Sequence, residues 1–433
     1  MENSQVHSDL PHVAIVGGGP AGLMAAQLLS AGNCQVTLYE AKPSFGRKFL
    51  LAGRGGLNLT HSEPLDDFMA RYGPKSDFFY EKISAFLPSD LRAWCHDLGI
   101  KTFVGSSGRV FPESLKASPL LRAWLILLQN QGVILKPHHR WLGFKQSPGE
   151  LQAADARPFE LEFLERDEDR ITVSADAVLL ALGGASWPRL GSDGKWTEIL
   201  EALGVASTAL EPSNCGFSVD WSKNFIERHA GSALKNLKVT AGESQTRGEV
   251  MISRYGVEGG AIYALGQPLR EEIRAKGSAS LVFDFKPDLS PGKIARRIAA
   301  QRSKDSLSSK LRKAINLSPA ATALLRECHA GDALTSPDKI AAAVKAVPLR
   351  LTGAQPIERA ISTAGGLKLE GLNDDLMARS LPGVFIAGEM LDWDAPTGGY
   401  LLQGTFATAV CAARGISCWL GAGGEEKRVT PVS

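Results

Sequence analysis

Three glycines near the start of the chain have the spacing of a turn that receives phosphate groups. Gly17, Gly19 and Gly22 follow directly after the apolar run 13–16. Gly17 lets the chain turn sharply off a strand, Gly19 leaves no side chain in the way of a pyrophosphate, and Gly22 lets the next helix pack closely on the sheet. The phosphates would lie on free N–H groups at the helix N-terminus, where the peptide dipoles favour negative charge.

An acidic residue stands where such a site needs one. A helix expected over 23–29 leads into a second apolar run, 35–39, which ends at Glu40, roughly 20 residues past the turn. A carboxylate at that position accepts hydrogen bonds from ribose hydroxyls. The glycine spacing alone is weak in a chain with 45 glycines. Combined with the strand, the helix and the acid, it predicts a dinucleotide cofactor.

The stretch that follows Glu40 favours a flavin over a nicotinamide dinucleotide. Residues 41–61 are basic and again rich in glycine, and a plain dehydrogenase has no obvious use for them. A cofactor stretched across the domain fits this loop, with glycine backbone beside it and Arg47 or Lys48 near its pyrophosphate. The alternative is a surface loop with solvated cations.

Two later apolar runs, which we expect to form strands, also end at residues that suit a cofactor site. The run 177–182 stops at Gly183, where the chain would pass the cofactor a second time, and the run 383–387 stops before Glu389, whose carboxylate could hold ribitol hydroxyls. The stretch 397–404 then opens the last helix, whose N-terminal N–H groups could face the electron-rich edge of a reduced isoalloxazine. Four such segments in this order predict FAD, held non-covalently because no linkage motif is present.

The residues predicted to contact FAD lie in these segments. They are Gly17, Gly19, Pro20, Ala21, Gly22, Glu40, Ala41, Lys42, Arg47, Lys48, Gly53, Gly55, Gly56, Asn58, Gly183, Gly388, Glu389, Gly399, Tyr400 and Leu401. Tyr400 and His61 are the predicted proton donors, with Tyr255 as a third candidate, although each could equally serve in packing or hydrogen bonding. We expect the chemistry where loop 53–61 meets turn 392–403, because ligands collect beyond the carboxyl ends of the strands.

These segments resemble the BaiN/RdsA-type flavoproteins, a bacterial family of FAD-dependent oxidoreductases, over nearly the whole chain. The resemblance rests on the first glycine turn and on residues 47–60, 108–112, 183–188, 255–256 and 387–400. It implies activities such as bile-acid reduction or the formation of dihydrouridine in ribosomal RNA. Where relatives commonly read Gly-Gly-Gly-Arg-Cys-Asn, this chain reads Gly-Arg-Gly-Gly-Leu-Asn, so no cysteine chemistry is carried over to Leu57.

The cofactor segments are split by an insertion, and the predicted fold class is α/β. We expect a Rossmann-like FAD-binding domain in two parts, 1–210 and 351–433, around an inserted β-rich domain, 211–290, and a small basic helical domain, 291–350. Alternating apolar residues from Phe159, followed by a charged turn, predict a β-hairpin against the main sheet.

The inserted segment 291–350 has an unusual charge. It carries twelve Lys and Arg residues against four Asp and Glu, a net charge of +8 in a protein whose overall net charge is +2. The segment is either a solvated basic face or a surface that contacts the phosphate backbone of RNA. It contains no Phe, Tyr or Trp, so base stacking is not supported there.

Composition excludes several other classes of protein. The 433 residues suffice for two or three domains. The stretch 1–11 is polar and no segment approaches the roughly 20 apolar residues of a membrane span, so we expect a cytoplasmic protein without membrane contact. The six cysteines form no C-x-x-C pair, which predicts neither disulfide nor metal site. Most of them are expected to be buried.

The leading functional hypothesis is a reductase in which NAD(P)H reduces FAD and the flavin reduces an unsaturated substrate. Only one G-x-G-x-x-G turn is visible, so NAD(P)H would visit the flavin transiently as a co-substrate. The basic segment favours uridine in ribosomal RNA as the electron acceptor, whereas the change at Leu57 favours a small enone-like molecule. A non-catalytic flavin- or RNA-binding protein is the third hypothesis.

Overall fold

A computed structural model describes residues 10–52, 55–153, 157–329 and 331–421. Residues 1–9 of the polar stretch 1–11 and the predicted cofactor residue Gly53 lie outside these ranges. The chain forms two compact units. Unit 1 comprises Met1–Glu211 and Ser362–Ser433, and unit 2 comprises Pro212–Ile361.

The strands are β1 (His12–Val16), β2 (Gln35–Tyr39), β3 (Thr60–His61), β4 (Thr102–Val104), β5 (Arg109–Pro112), β6 (Ile134–Lys136), β7 (His139–Phe144), β8 (Phe159–Glu165), β9 (Asp169–Ala175), β10 (Ala177–Leu180), β11 (Ser207–Ser213), β12 (Phe217–Ser218), β13 (Ala233–Ala241), β14 (Ser244–Ile252), β15 (Gly256–Glu258), β16 (Ala279–Asp284), β17 (Val347–Leu351), β18 (Gly353–Ala354), β19 (Ser362–Leu367) and β20 (Val384–Ile386). The helices are α1 (Pro20–Ser30), α2 (Arg47–Ala52), α3 (Leu65–Ala70), α4 (Ser76–Ser84), α5 (Pro88–Asp97), α6 (Ala117–Asn130), α7 (Pro148–Leu151), α8 (Trp196–Ala202), α9 (Lys223–His229), α10 (Gly260–Tyr263), α11 (Gly266–Lys276), α12 (Pro291–Ala299), α13 (Leu307–Ile315), α14 (Pro319–Cys328), α15 (Pro337–Lys345) and α16 (Tyr400–Trp419).

Unit 1 is built on a five-stranded sheet in the order β20-β10-β1-β2-β6, whose strand pairs are all parallel. The two central strands β1 and β10 are apolar runs buried along almost their whole length. Continuous burial is typical of a parallel sheet covered on both faces. The carboxyl ends of β1, β2, β10 and β20 consequently share one edge, where ligands bind in open α/β sheets.

A smaller antiparallel sheet, β7-β8-β9, belongs to the same unit. The predicted hairpin is confirmed: β8 pairs antiparallel with β9, with Phe159 opposite Ala175. Phe159, Leu161 and Phe163 are fully buried, because alternate side chains of a strand point to the same face.

Unit 2 contains a seven-stranded antiparallel sheet in the order β17-β16-β13-β14-β15-β12-β18. The amphipathic helices predicted beyond residue 290 are present as α12 to α15, and their apolar residues recur on one face. Ile294, Leu311 and Ile340 from these helices share one hydrophobic core with Val239 and Phe283 of the sheet.

The inserted residues therefore differ from the two separate domains expected at 211–290 and 291–350. Sheet and helices form one unit around one core, and that unit extends to Ile361. The change in sequence character at residue 291 marks the switch from strands to helices within the unit. An amphipathic helix can bury its apolar stripe only by packing against another element, and here that element is the sheet.

The described residues contain neither a membrane-spanning helix nor a metal-binding cluster. No helix there is long and apolar enough to cross a membrane. The same residues contain no group of three His, Cys, Asp or Glu side chains placed to hold a metal ion. The six cysteines all lie in the described ranges and none is in a disulfide bond; Cys34, Cys95 and Cys215 are buried, whereas Cys328, Cys411 and Cys418 are more exposed.

Candidate cofactor and active site

The first glycine turn has a separate structural reason for each glycine. Gly17 has φ +112°, and a Cβ there would lie 2.2 Å from the carbonyl oxygen of Ala181. A Cβ on Gly22 would lie 2.0 Å from the Gly17 carbonyl oxygen, so helix and turn are in direct contact. A Cβ on Gly19 would meet nothing within 4 Å. The space above Gly19 is thus open to a ligand, whereas the fold requires glycine at positions 17 and 22 because a side chain there would collide with backbone.

Helix α1 begins at this open space. Gly19 is its N-cap and Pro20 occupies the first turn, where the missing N–H of proline has no consequence. The first intrahelical bond runs from Leu23 N to Gly19 O at 2.9 Å, so the amides of Ala21 and Gly22 precede the regular ladder. Such first-turn amides bind anions.

Glu40 lies beside the turn, at the end of β2. Its carboxylate accepts hydrogen bonds from the Gly18 amide at 2.9 Å and from the Lys42 amide at 2.8 Å. Burial raises the pKa of Glu40, against the opposing effect of these two hydrogen bonds. Ala41 and Lys42 continue the chain past the acid, half-buried. The carboxylate is therefore fixed at the sheet edge, as a group that holds ribose hydroxyls should be.

The two cations at the start of α2 have different surroundings. Arg47 Nη1 donates to Ser44 Oγ at 3.1 Å, while its Nε is buried with no partner among the described residues. Lys48 Nζ instead lies 2.6 Å from Glu389 Oε2 and 2.6 Å from Ser186 Oγ. Arg47 thus retains a donor for an anion, whereas Lys48 has its anion within the protein.

Glu389 connects three segments that sequence analysis assigned to the cofactor. Besides Lys48, its carboxylate accepts from the Thr363 amide at 3.0 Å and from the Gly184 amide at 3.4 Å. Gly183 has φ +73° and its carbonyl accepts from Trp196 Nε1 at 2.8 Å. The carboxylate of Glu389, which is partly accessible, therefore connects Lys48 with the backbone directly after Gly183.

The end of β20 also reaches the first glycine turn. Gly388 has φ +80°, and a Cβ on it would lie 3.0 Å from the Cβ of Ala21. Its amide donates to Thr408 Oγ1 of α16 at 3.1 Å. Gly388 thus brings the C-terminal helix against the start of α1, and a side chain there would separate them.

The described part of loop 53–61, which begins at Gly55, meets turn 392–403 at Thr60 and Gly399. Gly399 is the left-handed N-cap of α16, and a Cβ there would lie 2.4 Å from the Thr60 Cα. Asn58 Oδ1 and Thr60 Oγ1 are buried without a partner among the residues described. Buried polar atoms of this kind call for a ligand or water.

The other predicted residues near this contact differ in their exposure and backbone conformation. Gly55 is exposed, Gly56 has φ +109° and Leu401 is half-buried in the first turn of α16. Leu57 is fully buried, so the residue that replaces the family's cysteine is part of the hydrophobic core. A buried leucine offers packing and no redox chemistry.

The two predicted proton donors lie together beside this contact. The rings of His61 and Tyr400 stack with centroids 5.6 Å apart. The Tyr400 hydroxyl donates to Glu63 Oε1 at 2.6 Å, and Glu63 Oε2 accepts from Arg71 Nη2 at 2.7 Å. The Arg71 guanidinium also lies 5.9 Å from the Tyr400 ring centroid. Glu63 is the centre of this cluster, and it is only 11% exposed.

Protonation in the cluster follows from these contacts. Burial raises the pKa of Tyr400, and the hydrogen bond to the Glu63 carboxylate raises it further. Burial also acts to raise the pKa of Glu63, but the hydrogen bonds from Arg71 and Tyr400 outweigh it and the pKa is lowered. Glu63 is consequently ionised and Tyr400 neutral at physiological pH.

Both ring nitrogens of His61 also take part in hydrogen bonds within the protein. Its Nδ1 accepts from the Glu63 amide at 3.1 Å, so the ring proton is on Nε2, which donates to the Ser107 carbonyl at 2.9 Å. Both predicted donors therefore have their protons in hydrogen bonds within unit 1. The third candidate, Tyr255, belongs to unit 2 and its hydroxyl donates to the Glu258 carboxylate.

Sequence reasoning missed Glu63 and Arg71. Glu63 occurs in Ser62-Glu63-Pro64 just before α3, and Arg71 follows the end of that helix. A single helix turns the chain so that the two side chains meet. No motif marks either residue, and only the position of Glu63 two residues after His61 connects it with the predicted site.

This combination of fold and site defines a class of protein. A parallel sheet with a glycine turn, an acid after the second strand and two further strands that end at the same edge is a Rossmann-type dinucleotide-binding fold. Arg47, Asn58 and Thr60 each have a buried polar atom without a partner among the described residues, which a ligand could satisfy. The residues fit FAD.

The chain belongs to the family described as HI0933-like protein Rossmann domain, whose model matches residues 11–415. It is a flavin-dependent oxidoreductase of this family, which agrees with the relationship and the fold class expected from the sequence. A 3-dehydro-bile acid delta(4,6)-reductase from Clostridium scindens is 25% identical over 422 residues, which cover 93% of this chain and 98% of that relative.

Solved structures with a similar fold include other oxidoreductases. A 3-ketosteroid delta1-dehydrogenase from Sterolibacterium denitrificans, in complex with 1,4-androstadiene-3,17-dione, matches 95% of this chain and 100% of its own with a TM-score of 0.52. The open conformation of a flavocytochrome c3 fumarate reductase matches 95% of this chain and 79% of its own with a TM-score of 0.51. Both are 12% identical in sequence, so the likeness concerns the fold.

Proposed function

We propose that this protein is an NAD(P)H-driven reductase that saturates a carbon–carbon double bond conjugated to a carbonyl group in a small molecule. The observation that carries the proposal is the cradle formed by the open face of Gly19, the first-turn amides of α1 and Glu40. When bound there, FAD would supply hydride transfer from NAD(P)H to the substrate.

The residues of the cradle divide the binding of FAD between them. Glu40 would hold the ribose of the adenosine, and the amides of Ala21 and Gly22 would receive the pyrophosphate. Arg47 has a buried Nε without a partner among the described residues, which suits a charge-assisted bond to the same group. No histidine or cysteine in this cradle has a linkage motif, so the binding is non-covalent.

Lys48 has a different role in the proposal from the one first expected, because it pairs with Glu389 instead of the pyrophosphate, whereas Glu389 keeps its expected role. Their 2.6 Å ion pair, with Ser186 and the Thr363 amide, fixes the ends of three segments around the cradle. Each side chain is partly accessible, 26% for Lys48 and 17% for Glu389. The pair therefore forms part of the wall and presents one carboxylate edge to ribitol hydroxyls.

The Tyr400–Glu63–Arg71 cluster supplies the substrate side of the site. The Tyr400 proton is held by an ionised carboxylate, so the phenol oxygen can accept a hydrogen bond more readily than it can release a proton. We assign Tyr400 an orienting role. Arg71, whose side chain is 48% exposed, offers further N–H groups to a substrate carbonyl.

The relative from Clostridium scindens supports the substrate class. Its name, a 3-dehydro-bile acid delta(4,6)-reductase, describes reduction of double bonds in a molecule with an oxo group at position 3, and the match extends over almost all of both chains. A hydride acceptor of that type needs a donor near its carbonyl oxygen. The Arg71 guanidinium and the buried Thr60 hydroxyl provide candidates in this chain.

A second candidate substrate is uridine in ribosomal RNA. The net charge of +8 on residues 291–350 favours it, because neutralised phosphates dominate the affinity of proteins for nucleic acids. Some of these cations have partners within the described residues: Lys313 pairs with Asp305 at 2.9 Å and Lys345 with Asp284 at 2.5 Å. Arg296 and Lys339 donate to backbone carbonyls. The small-molecule assignment therefore comes first.

Anaerobic kinetics separate the candidates. The holoenzyme should be bleached by NADH or NADPH and reoxidised by a 3-oxo-4-ene steroid, with little dependence on salt. Reoxidation by a ribosomal RNA fragment, lost steeply as salt rises, would favour the second candidate. A flavin that neither pyridine nucleotide reduces would reject both.

A further inference from the structure

Unit 2 contains a cleft that the proposed function does not use. It has a volume of about 330 Å³, near the lower end of the range for small-molecule sites. Helices α9, α13 and α14 contribute the lining. The residues are His229, Ser308, Ser309, Arg312, Leu317, Pro319, Thr322, Ala323 and Arg326.

The charge of the lining is positive and uncompensated. Arg312 and Arg326 make no ion pair or side-chain hydrogen bond within the part of the chain that the structure describes. No carboxylate belongs to the lining. The acids nearby in sequence are engaged elsewhere, because Asp305 pairs with Lys313 at 2.9 Å and Glu327 accepts from the Ser222 amide and hydroxyl at 2.7 and 2.9 Å.

The rest of the lining suits a compact organic anion. Ser308 and Ser309 place hydroxyl groups in the first turn of α13, and His229 adds an imidazole at the end of α9. Leu317 and Thr322 are buried members of the lining, each 4% exposed. Guanidinium groups, hydroxyl groups and a few apolar side chains together match a phosphate group on a small organic body.

We propose that this cleft binds the phosphate group of a small phosphorylated ligand through Arg312 and Arg326. Guanidinium groups match the geometry of phosphate oxygens, with parallel N–H donors. The absence of aromatic residues from 291–350 removes the stacking that single-stranded nucleic acids use. A nucleoside monophosphate or a sugar phosphate therefore suits the cleft better than a polynucleotide.

Calorimetric titration of the full-length holoenzyme tests the proposal. Pyrophosphate and AMP should both bind at low salt, and the double variant Arg312→Gln/Arg326→Gln should weaken each by at least about tenfold, the loss of one charge-assisted hydrogen bond. The matched control Arg296→Gln/Arg297→Gln removes two cations from α12, outside the lining, and should bind as the wild type does.

Three results would overturn the proposal. The first is no binding of pyrophosphate or AMP to the wild type. The second is an equal loss in both double variants, which would show attraction by the basic surface as a whole. The third is binding of a single-stranded oligoribonucleotide that AMP cannot displace, which would assign the phosphate contacts to a polymer. Unchanged thermal unfolding of both variants shows that the fold is intact.

Discussion

The hydroxyl of Tyr400 donates a 2.6 Å hydrogen bond to the Glu63 carboxylate, which Arg71 holds from its other side at 2.7 Å. This relationship joins the first turn of α16 to the segment before α3, across 337 residues of sequence. It determines where the Tyr400 proton lies. An aromatic hydroxyl that sequence analysis placed first among the proton donors is thereby a fixed and neutral group.

Tyr400→Phe tests this assignment. If the phenol only orients the substrate, turnover should fall by less than about tenfold. Loss of a general acid would instead lower turnover by ~10²-fold or more. Flavin reduction by NAD(P)H should not change. Tyr80→Phe is the matched control, since the Tyr80 side chain is 50% exposed. A fall of 10²-fold in substrate turnover, with normal flavin reduction, would return the proton-donor role to Tyr400.

Gly19 and Gly22 should respond in opposite ways to added side chains. Gly19→Leu should leave the apoprotein as stable as the wild type, because a Cβ there meets nothing within 4 Å, yet purify without flavin. Gly22→Ala should destabilise the apoprotein, since its Cβ would lie 2.0 Å from the Gly17 carbonyl oxygen. Flavin absorbance and urea unfolding measure both effects. A Gly19→Leu protein with a full complement of flavin would remove the cradle assignment.

The Lys48–Glu389 pair should be energetically coupled. A double-mutant cycle with Lys48→Gln and Glu389→Gln should give a coupling free energy of about 0.5–2 kcal/mol in urea unfolding. The exposed pair Lys145–Glu160, with side chains 55% and 41% accessible, provides the matched cycle and should give a value near zero. Equal coupling in both cycles would mean that the cradle wall does not depend on this contact.

The pKa shifts of Glu40 and Glu63 predict that their contributions to folding stability change with pH in opposite directions. The raised pKa of Glu40 means that the folded apoprotein binds its proton more tightly than the unfolded chain, so its contribution to stability falls as pH rises above its ordinary pKa. The lowered pKa of Glu63 makes its contribution fully present above its ordinary pKa and lost as pH falls through the lowered value.

Unfolding free energies of the apoproteins at pH 3.5 and pH 7 measure these trends. Relative to the wild type, Glu40→Gln should become more stable at the higher pH and Glu63→Gln less stable. The two variants act as controls for each other, because both replace a carboxylate by an isosteric amide. The same sign of change in both would contradict the assigned environments.

Local backbone geometry is the part of the candidate site that the sequence could predict. The steric demands of the glycine turn are local: a Cβ on Gly17 or Gly22 would meet a backbone oxygen, whereas one on Gly19 would meet nothing within 4 Å. The position of Glu40 could be predicted because the length of one strand–helix–strand unit sets its distance from the turn.

Contacts between side chains that lie far apart in the sequence could not be predicted from the sequence alone. Lys48 and Glu389 were each assigned separately to the cofactor, whereas 341 residues of sequence separate two groups that are in contact. Glu63 and Arg71 belong to no motif. The shared core of the inserted sheet and helices was inaccessible for a related reason, since amphipathic periodicity shows that a helix buries one face but does not show which surface covers it.

The most direct test of the account is anaerobic stopped-flow absorbance of the holoenzyme through one reductive and one oxidative half-reaction. NADH or NADPH should bleach the flavin, and a 3-oxo-4-ene steroid should restore its absorbance with formation of the saturated ketone, while Gly19→Leu shows neither signal. Bleaching without reoxidation by any conjugated ketone, together with reoxidation by ribosomal RNA that forms dihydrouridine, would contradict the assignment to a small-molecule substrate.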